Sequence, residues 1–171
     1  MSAIRPATPV GLTIATAAGQ FLAHYSSNGL AGMRFPGDGA KPVADNSAEA
    51  SGQVQQWHRL TAVAIAEILA GRAPGELPPL DLSRGTEFQQ SVWAALRRIK
   101  LGATQSYGEI AVAIGNPKAV RAVGGACGAN PIPLLVPCHR VLAANQKIGG
   151  FSGGLAWKRR LLAIEKIRVT Q

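Results

Sequence analysis

Between residues 86 and 130 the chain carries a helix start or stop signal every few residues, and that spacing admits only short helices. Thr86-Glu-Phe-Gln89 has the form of a capping box, and Phe88, Val92, Trp93, Leu96 and Ile99 follow on one helical face until Gly102. Ser106-Tyr-Gly-Glu109 repeats the device and opens a short helix through Tyr107, Ile110, Ala111 and Ile114, which Gly115 closes. Asn116-Pro117 then offers an N-cap and a first-turn proline to a third helix, PKAVRAVGGAC. Two short helices joined by a glycine-containing turn match a helix-turn-helix. The third helix is thin: Ala119, Ala122, Gly124, Gly125 and Ala126 leave Lys118 and Arg121 as its long side chains. Two accounts stand side by side, close packing against the rest of the domain or close approach to a narrow groove.

Beyond Asn130-Pro131, the extended apolar run PIPLLVP delivers Cys138 to a turn, and GGFSGG (149–154) reads as a flexible loop. An amphipathic helix from Leu155 to Val169 ends the chain, with Trp157, Leu161, Leu162, Ile164 and Ile167 as its core face. The first half is built differently. GLTIAT, QFLAHY and LAGMRF are strand-length runs separated by the turn signals Ala18-Gly19 and Asn28-Gly29, so a short meander is expected. Residues 36–48 read as a loop. Apolar positions at helical spacing place a helix from about Ser51 to Ala70, ended by Gly71 and Pro74. The Pro/Gly-rich stretch that follows reads as a linker, giving domains 1–82 and 83–171.

Charge separates the halves too. Residues 1–83 hold five Lys/Arg against six Asp/Glu, whereas residues 84–171 hold thirteen against three, within a net charge of +9. A basic half beside a neutral one points to a polyanion partner, with a solubilising surface as the plainer alternative. With 47% apolar residues a core can form. No apolar run approaches the roughly 18 residues of a membrane span, and MSAIRPATPV has no secretory apolar core, so no membrane contact and cytoplasmic residence are the expectations.

The chain has two cysteines, Cys127 and Cys138, and neither belongs to a C-x-x-C or Cys/His cluster. Neither a metal site nor a disulfide is therefore expected. Cys127 sits among small residues and reads as a buried hydrophobe. Cys138, in VPCHRV, has His139 and Arg140 beside it. A thiol with an ordinary pKa of about 8.5 is mostly protonated at neutral pH, so a nucleophilic role needs a base. Sequence neighbours usually point apart, so His139 must couple through a turn or a bridging water. A third group should orient the imidazole, and Glu165, one of three acids in the basic half, is the candidate. A solvated helix position paired with a cation is the plainer reading of Glu165.

The stretches GTEFQQSVWAAL, SYGEIAVAIGNPKAVRAVGGA, NPIPLLVPCHRV and GGFSGGLAWKRRLLAIE together resemble the O6-alkylguanine-DNA alkyltransferases (methylated-DNA–protein-cysteine methyltransferases) over residues 84–166. The first 80 residues share only the strand-then-helix layout. The resemblance implies an α/β N-terminal domain, a short antiparallel sheet plus helix of ribonuclease-H-like type. It implies a mostly α C-terminal domain with a winged helix-turn-helix. The implied activity is direct-reversal DNA repair, in which O6-alkylguanine, and O4-alkylthymine too, is flipped from duplex DNA and its alkyl group moves irreversibly to Cys138, once per molecule and without a cofactor.

By the same resemblance His139 is the base through a water and Glu165 orients it. Asn130 ties the helix-turn-helix to the active-site loop, and Tyr107 and Lys158 polarise the guanine and the developing thiolate. Arg121 would enter the base stack, with Ser106, Tyr107, Lys118, Ala119, Ala122 and Gly124 along the DNA. Pro133, Val141, Phe151, Ser152 and Gly153 would wall the base pocket. Phe151 stands where the family usually has tyrosine, and the loop AANQKIGG lacks a glycine often found near Asn145. The expected partner is double-stranded DNA carrying the lesion, bound by a monomer, with cooperativity on DNA an open option. The alternatives are a non-catalytic winged-helix or lesion-sensing DNA-binding protein, disfavoured by the thiol, and a thiol hydrolase, for which no oxyanion hole is legible.

Overall fold

A computed structural model describes residues 9–39 and 47–170. Most of the N-terminal segment MSAIRPATPV and the middle of the 36–48 loop thus lie outside the described residues. The three strand-length runs form an antiparallel meander, β1 (Val10–Thr16), β2 (Gly19–Ser26) and β3 (Gly29–Arg34), in the order β1-β2-β3. Alternation puts Leu12, Ile14, Phe21, Ala23, Tyr25, Leu30 and Met33 into the core. Helix α1 (Gly52–Leu69) covers that face with Val54, Trp57, Ala64, Ile65 and Ile68, and its N-cap Ser51 accepts from Val54 N–H. Tyr25 Oη reaches the buried Thr61 hydroxyl at 3.0 Å, so the hydroxyl it carries inward is satisfied.

The linker is less free than its composition suggests. Pro79 O accepts from Leu30 N–H at 2.8 Å and Asp81 N–H donates to Leu30 O at 2.7 Å, adding a short parallel bridge at the edge of β3. Gly29 makes this approach possible. Its φ of +144° suits the turn, and a Cβ there would lie 2.2 Å from Pro79 O.

The second half follows its punctuation closely. Helix α2 (Glu87–Leu96) begins in a complete capping box of Thr86 and Gln89. A two-residue strand β4 (Gln105–Ser106) leads into α3 (Tyr107–Ala113), opened by the second box, Ser106 with Glu109. A turn joins α3 to α4 (Val120–Gly128), and β4 pairs in parallel with β5 (Val141–Leu142). Helix α5 (Leu155–Ile164) closes the fold. Among the described residues no helix is long and apolar enough to cross a membrane.

Two helix ends depart from the sequence expectation. The third helix starts at Val120, not at Pro117, because Asn116 N–H is spent on Ala111 O and Gly115 N–H on Val112 O. These bonds close α3 around Gly115 at φ +75°; Ala119 N–H then bonds to Asn116 O at 3.0 Å in a turn, so the N-cap place falls to Ala119, with no side-chain cap. The last helix ends at Ile164, not Val169. Lys166 takes φ +59° and Ile167 N–H bonds back to Leu162 O, which halts the helix just as Glu165 turns into the core. In AANQKIGG, Asn145 and Gln146 adopt φ of 58° and 57°, so a left-handed turn forms there without glycine.

Candidate active site

The run PIPLLVP lies buried between the two halves, and the one-turn 3-10 helix Cys138–Arg140 ends it. Three side chains from that turn, one from the end of α5 and one from the end of α4 meet there. Asn130, 5% exposed, arranges the approach. Its Oδ1 accepts from Ile132 N–H at 3.0 Å, and its Nδ2 donates to Val136 O at 2.8 Å and to Cys138 Sγ at 3.2 Å. One amide thus shapes the backbone ahead of the thiol and places a donor on the sulfur.

His139 Nε2 sits 2.7 Å from Glu165 Oε1, both side chains being essentially buried. Glu165 is not a solvated helix position. Arg140 grips its carboxylate through Nε at 2.9 Å and Nη2 at 3.0 Å, donates Nη1 to Ile99 O at 2.7 Å, and Gly102 N–H reaches Oε2 at 3.1 Å. Burial alone would raise the Glu165 pKa, but the hydrogen bonds from His139 and Arg140 hold it down at about 2. Burial lowers the His139 pKa, with Arg140 and Lys158 adding to the effect against the pull of Glu165, so the imidazole is neutral near pH 7. Its Nδ1 is buried and has no hydrogen-bond partner among the described residues. That is the nitrogen able to accept a proton.

Lys158 is fully buried, its Nζ donating to Val141 O at 2.7 Å and to Gly150 O at 3.0 Å. Burial pulls its pKa down to about 8, and the nearby thiols pull the other way. Cys138 is pushed up to about 11 by burial, opposed by the Asn130 hydrogen bond and the Lys158 charge. Left to itself this thiol stays protonated, so any reaction through sulfur needs proton removal during the step.

A cavity of about 250 Å³ opens onto Cys138 and is lined by Tyr107, Gly124, Cys127, Gly128, Gly150, Phe151 and Ser152 as well. Tyr107, Phe151 and Ser152 share the thiol's pocket, and so does Gly124, which the resemblance put along the DNA. Pro133 and Gly153 line a neighbouring cavity with Asn130 and Ser152. Val141 is fully buried and contributes its carbonyl to Lys158. On α4, Gly124, Cys127 and Gly128 face the pocket, Val123 and Ala126 the core, and Arg121 and Ala122 solvent. Lys118 is exposed, while Ala119 and Ser106 are partly so. The thin helix turns Gly124 and Gly128 to the pocket and leaves Arg121, Ala122 and Gly125 exposed.

Sequence reasoning missed two things. Cys127 is buried, its thiol pushed up to about 12 mainly by burial, but it also lines the pocket beside Cys138. Arg140 was counted only with the basic charge of the second half, yet it is internal and paired with Glu165. The trace of Arg140's role was its place beside His139, which said nothing about direction. Among the described residues no group of three or more His, Cys, Asp and Glu side chains is placed to hold a metal.

A family profile described as "6-O-methylguanine DNA methyltransferase, DNA binding domain" matches residues 87–167. A methylated-DNA–protein-cysteine methyltransferase of Haemophilus influenzae is 58% identical over 83 residues, 48% of this chain and 46% of that protein. One from Mycobacterium bovis is 56% identical over 97 residues, 55% of this chain and 59% of that protein, so these curated relatives are matched over about half their length. The crystal structure of Mycobacterium tuberculosis O6-methylguanine methyltransferase superposes with a TM-score of 0.74 at 37% identity, covering 93% of each chain. A second structure of the same enzyme, in complex with DNA, gives the same score over 91% of this chain and 92% of that one. With similarity to that enzyme over 93% of each chain and a pocket-lining thiol next in sequence to the His139–Glu165 pair, this chain belongs to the O6-methylguanine-DNA methyltransferase family.

Proposed function

We propose that this protein repairs DNA by direct reversal, taking the alkyl group of O6-alkylguanine, and of O4-alkylthymine, onto Cys138. The observation that carries the reading is the buried Cys138 thiol, held by Asn130 at the floor of a pocket, with neutral His139 locked against Glu165 next to it in sequence. A base inside a duplex cannot reach such a floor, so the nucleotide must be turned out, which costs a few kcal/mol. The exposed Lys118 and Arg121 on the α3–turn–α4 unit supply sequence-independent phosphate contacts and a side chain for the vacated stack. We read that unit as the helix-turn-helix, with the β4–β5 pair in the place of a wing, and Ser106, Tyr107, Ala119, Ala122 and Gly124 along the duplex. Residues 83–171 then hold the chemistry, and residues 1–82, with their ribonuclease-H-like sheet and helix, support it.

In the reacting step, His139 Nδ1 takes the thiol proton through a water while sulfur attacks the alkyl carbon in line with the C–O6 bond. The S–C bond forms and the C–O bond breaks. The electron pair leaves on guanine, which takes up a proton from Tyr107; the proton held by His139 then returns through water to the Tyr107 phenolate, so the sum is a thioether and an unmodified guanine. Glu165 and Arg140 hold His139 in orientation, and Lys158 stabilises charge near the developing thiolate. Pro133, Val141, Phe151, Ser152 and Gly153 shape the space around the base. A thioether has no route back to thiol here, so each molecule acts once, as a monomer in our reading.

The test is incubation with duplex DNA containing O6-methylguanine followed by mass spectrometry of the Cys138 peptide. A gain of one methyl on that peptide, absent in Cys138→Ser, is the expected result; an unmodified peptide beside an intact lesion overturns the proposal. A non-catalytic lesion binder would bind the same duplex and leave the peptide mass unchanged.

A further inference from the structure

The end of β3 reaches the loop that walls the Cys138 pocket, and we propose that Phe35 is a positioning residue: from the N-terminal sheet its ring fixes the loop Phe151–Gly153 and so sets the shape of the base pocket. This rests on the alkyl-transfer reading above. The strand is itself anchored beside the site, since Met33 N–H donates to Pro131 O at 2.9 Å in the segment following Asn130. Two residues later Phe35, 4% exposed, places its ring 5.5 Å from Phe151 at 68° and 5.0 Å from Trp157. Pro36 O then accepts from Trp157 Nε1 at 3.2 Å. Behind Phe35 stands fully buried Phe21 at 5.4 Å, and beyond Phe151 stands His139, edge-on at 6.5 Å. A line of rings thus runs from the middle of the N-terminal sheet to the imidazole.

The loop's own bonds do not fix its position across the mouth. Lys158 holds the Gly150 carbonyl, and Gly154 N–H bonds to Phe151 O within the loop. A cavity of about 370 Å³ separates Ser152 and Gly153 from Asn130 and Pro133, with Met33 and Phe35 spanning its N-terminal side. At Gly153 the fit is tight. A Cβ there would lie 2.6 Å from Phe35 Cδ2 and 2.7 Å from Phe151 Cε1, so the loop backbone is pressed onto this ring pair. Tilted ring pairs favour one offset geometry over others, which makes the contact directional as well as apolar. Removing the Phe35 ring leaves Phe151 without its partner on the sheet side and lets the pocket wall drift.

Hydrogen exchange read by mass spectrometry on the full chain tests this without relying on activity. In Phe35→Ala the amides of residues 150–155 are expected to exchange about tenfold faster, with α3 and α4 unchanged and Phe35→Leu intermediate. Methyl transfer from the O6-methylguanine duplex should slow about tenfold, since small displacements at a reacting centre are costly, while affinity for undamaged duplex stays within twofold. Gly153→Ala should perturb the same amides in the wild-type background and less so in Phe35→Ala, where the obstructing ring is gone. If Phe35→Ala does not fold, Phe35→Leu carries the comparison. Loop exchange identical to wild type in a folded variant, or acceleration spread evenly over the whole chain, overturns the proposal. A wild-type protein that transfers no methyl overturns the alkyl-transfer reading instead, and the exchange pattern still decides the role of Phe35.

Discussion

Cys138 starts from unfavourable intrinsic chemistry, with a thiol that burial pushes up to about 11. Its reactivity must come from neighbours, and they tie it to pH. His139 has its folded pKa depressed mainly by burial, so protonation favours the unfolded chain and stability is complete above pH 6.5 and lost progressively below it. Glu165 has a folded pKa of about 2 against an ordinary 4.5, so its contribution is present above 4.5 and lost as pH falls towards 2. Both act in one direction. The urea midpoint should fall steadily from pH 7 to pH 3, His139→Gln should remove the part of the fall just below pH 6.5, and the transfer rate should drop as His139 protonates. Arg140 is the other residue on which the site depends. Arg140→Met leaves Glu165 buried with His139 and Gly102 alone and should cost about 3–5 kcal/mol by urea unfolding, as for other buried pairs broken on one side.

Among the elements, the glycine-rich loop before α5 contributes most by geometry. Gly149 has φ +64°, and a Cβ there would sit 2.9 Å from Tyr107 Oη. Gly149→Ala therefore combines a left-handed backbone, costing about 1–3 kcal/mol, with displacement of the phenol that faces the pocket. The expected outcome in stopped-time transfer assays is a rate loss of about tenfold or more, with a smaller loss of undamaged-DNA affinity because the displaced Tyr107 also lies along the proposed duplex path. The capping boxes at Thr86 and Ser106 were legible at once because each is complete within four residues. The start of α4 was not, since Asn116 can close one helix or cap the next, and the competition is settled by the Gly115 stop. The end of α5 was misplaced for a related reason: the apolar period continues to Ile167, but Lys166 has already turned out of the helix.

For the molecule as a whole, the Cys138 pocket is lined by the second half alone, and the first half packs behind its wall through Phe35 against Phe151 and Met33 against Pro131. Cys138 is 4% exposed and Asn130 donates to its Sγ, so a methyl added to sulfur crowds that amide unless it turns into the cavity of about 250 Å³. Alkylation should therefore destabilise the fold by about 1–3 kcal/mol. On this chain that amounts to a melting temperature lower by several degrees in calorimetry, with Cys138→Ala as the unalkylated control. An unchanged melting temperature would show that the pocket relaxes around the product.

Read as a linear chain, this protein already declared its short helices, its meander, its basic second half and the suspect thiol, because caps, periodicity and composition act over a few neighbouring residues. Its family motif also singled out Asn130, Tyr107 and Glu165. What folding added lies at long range. Arg140 reaches Glu165 across 25 positions and Ile99 across 41, Trp157 reaches Pro36 across 121, and Cys127 joins Cys138 in one pocket. No local pattern states such pairings, since the direction of a side chain is set by how the elements stack. A buried arginine and an exposed one are written with the same letter, and only packing separates Arg140, which grips the buried Glu165 carboxylate, from Arg121, which stands in solvent.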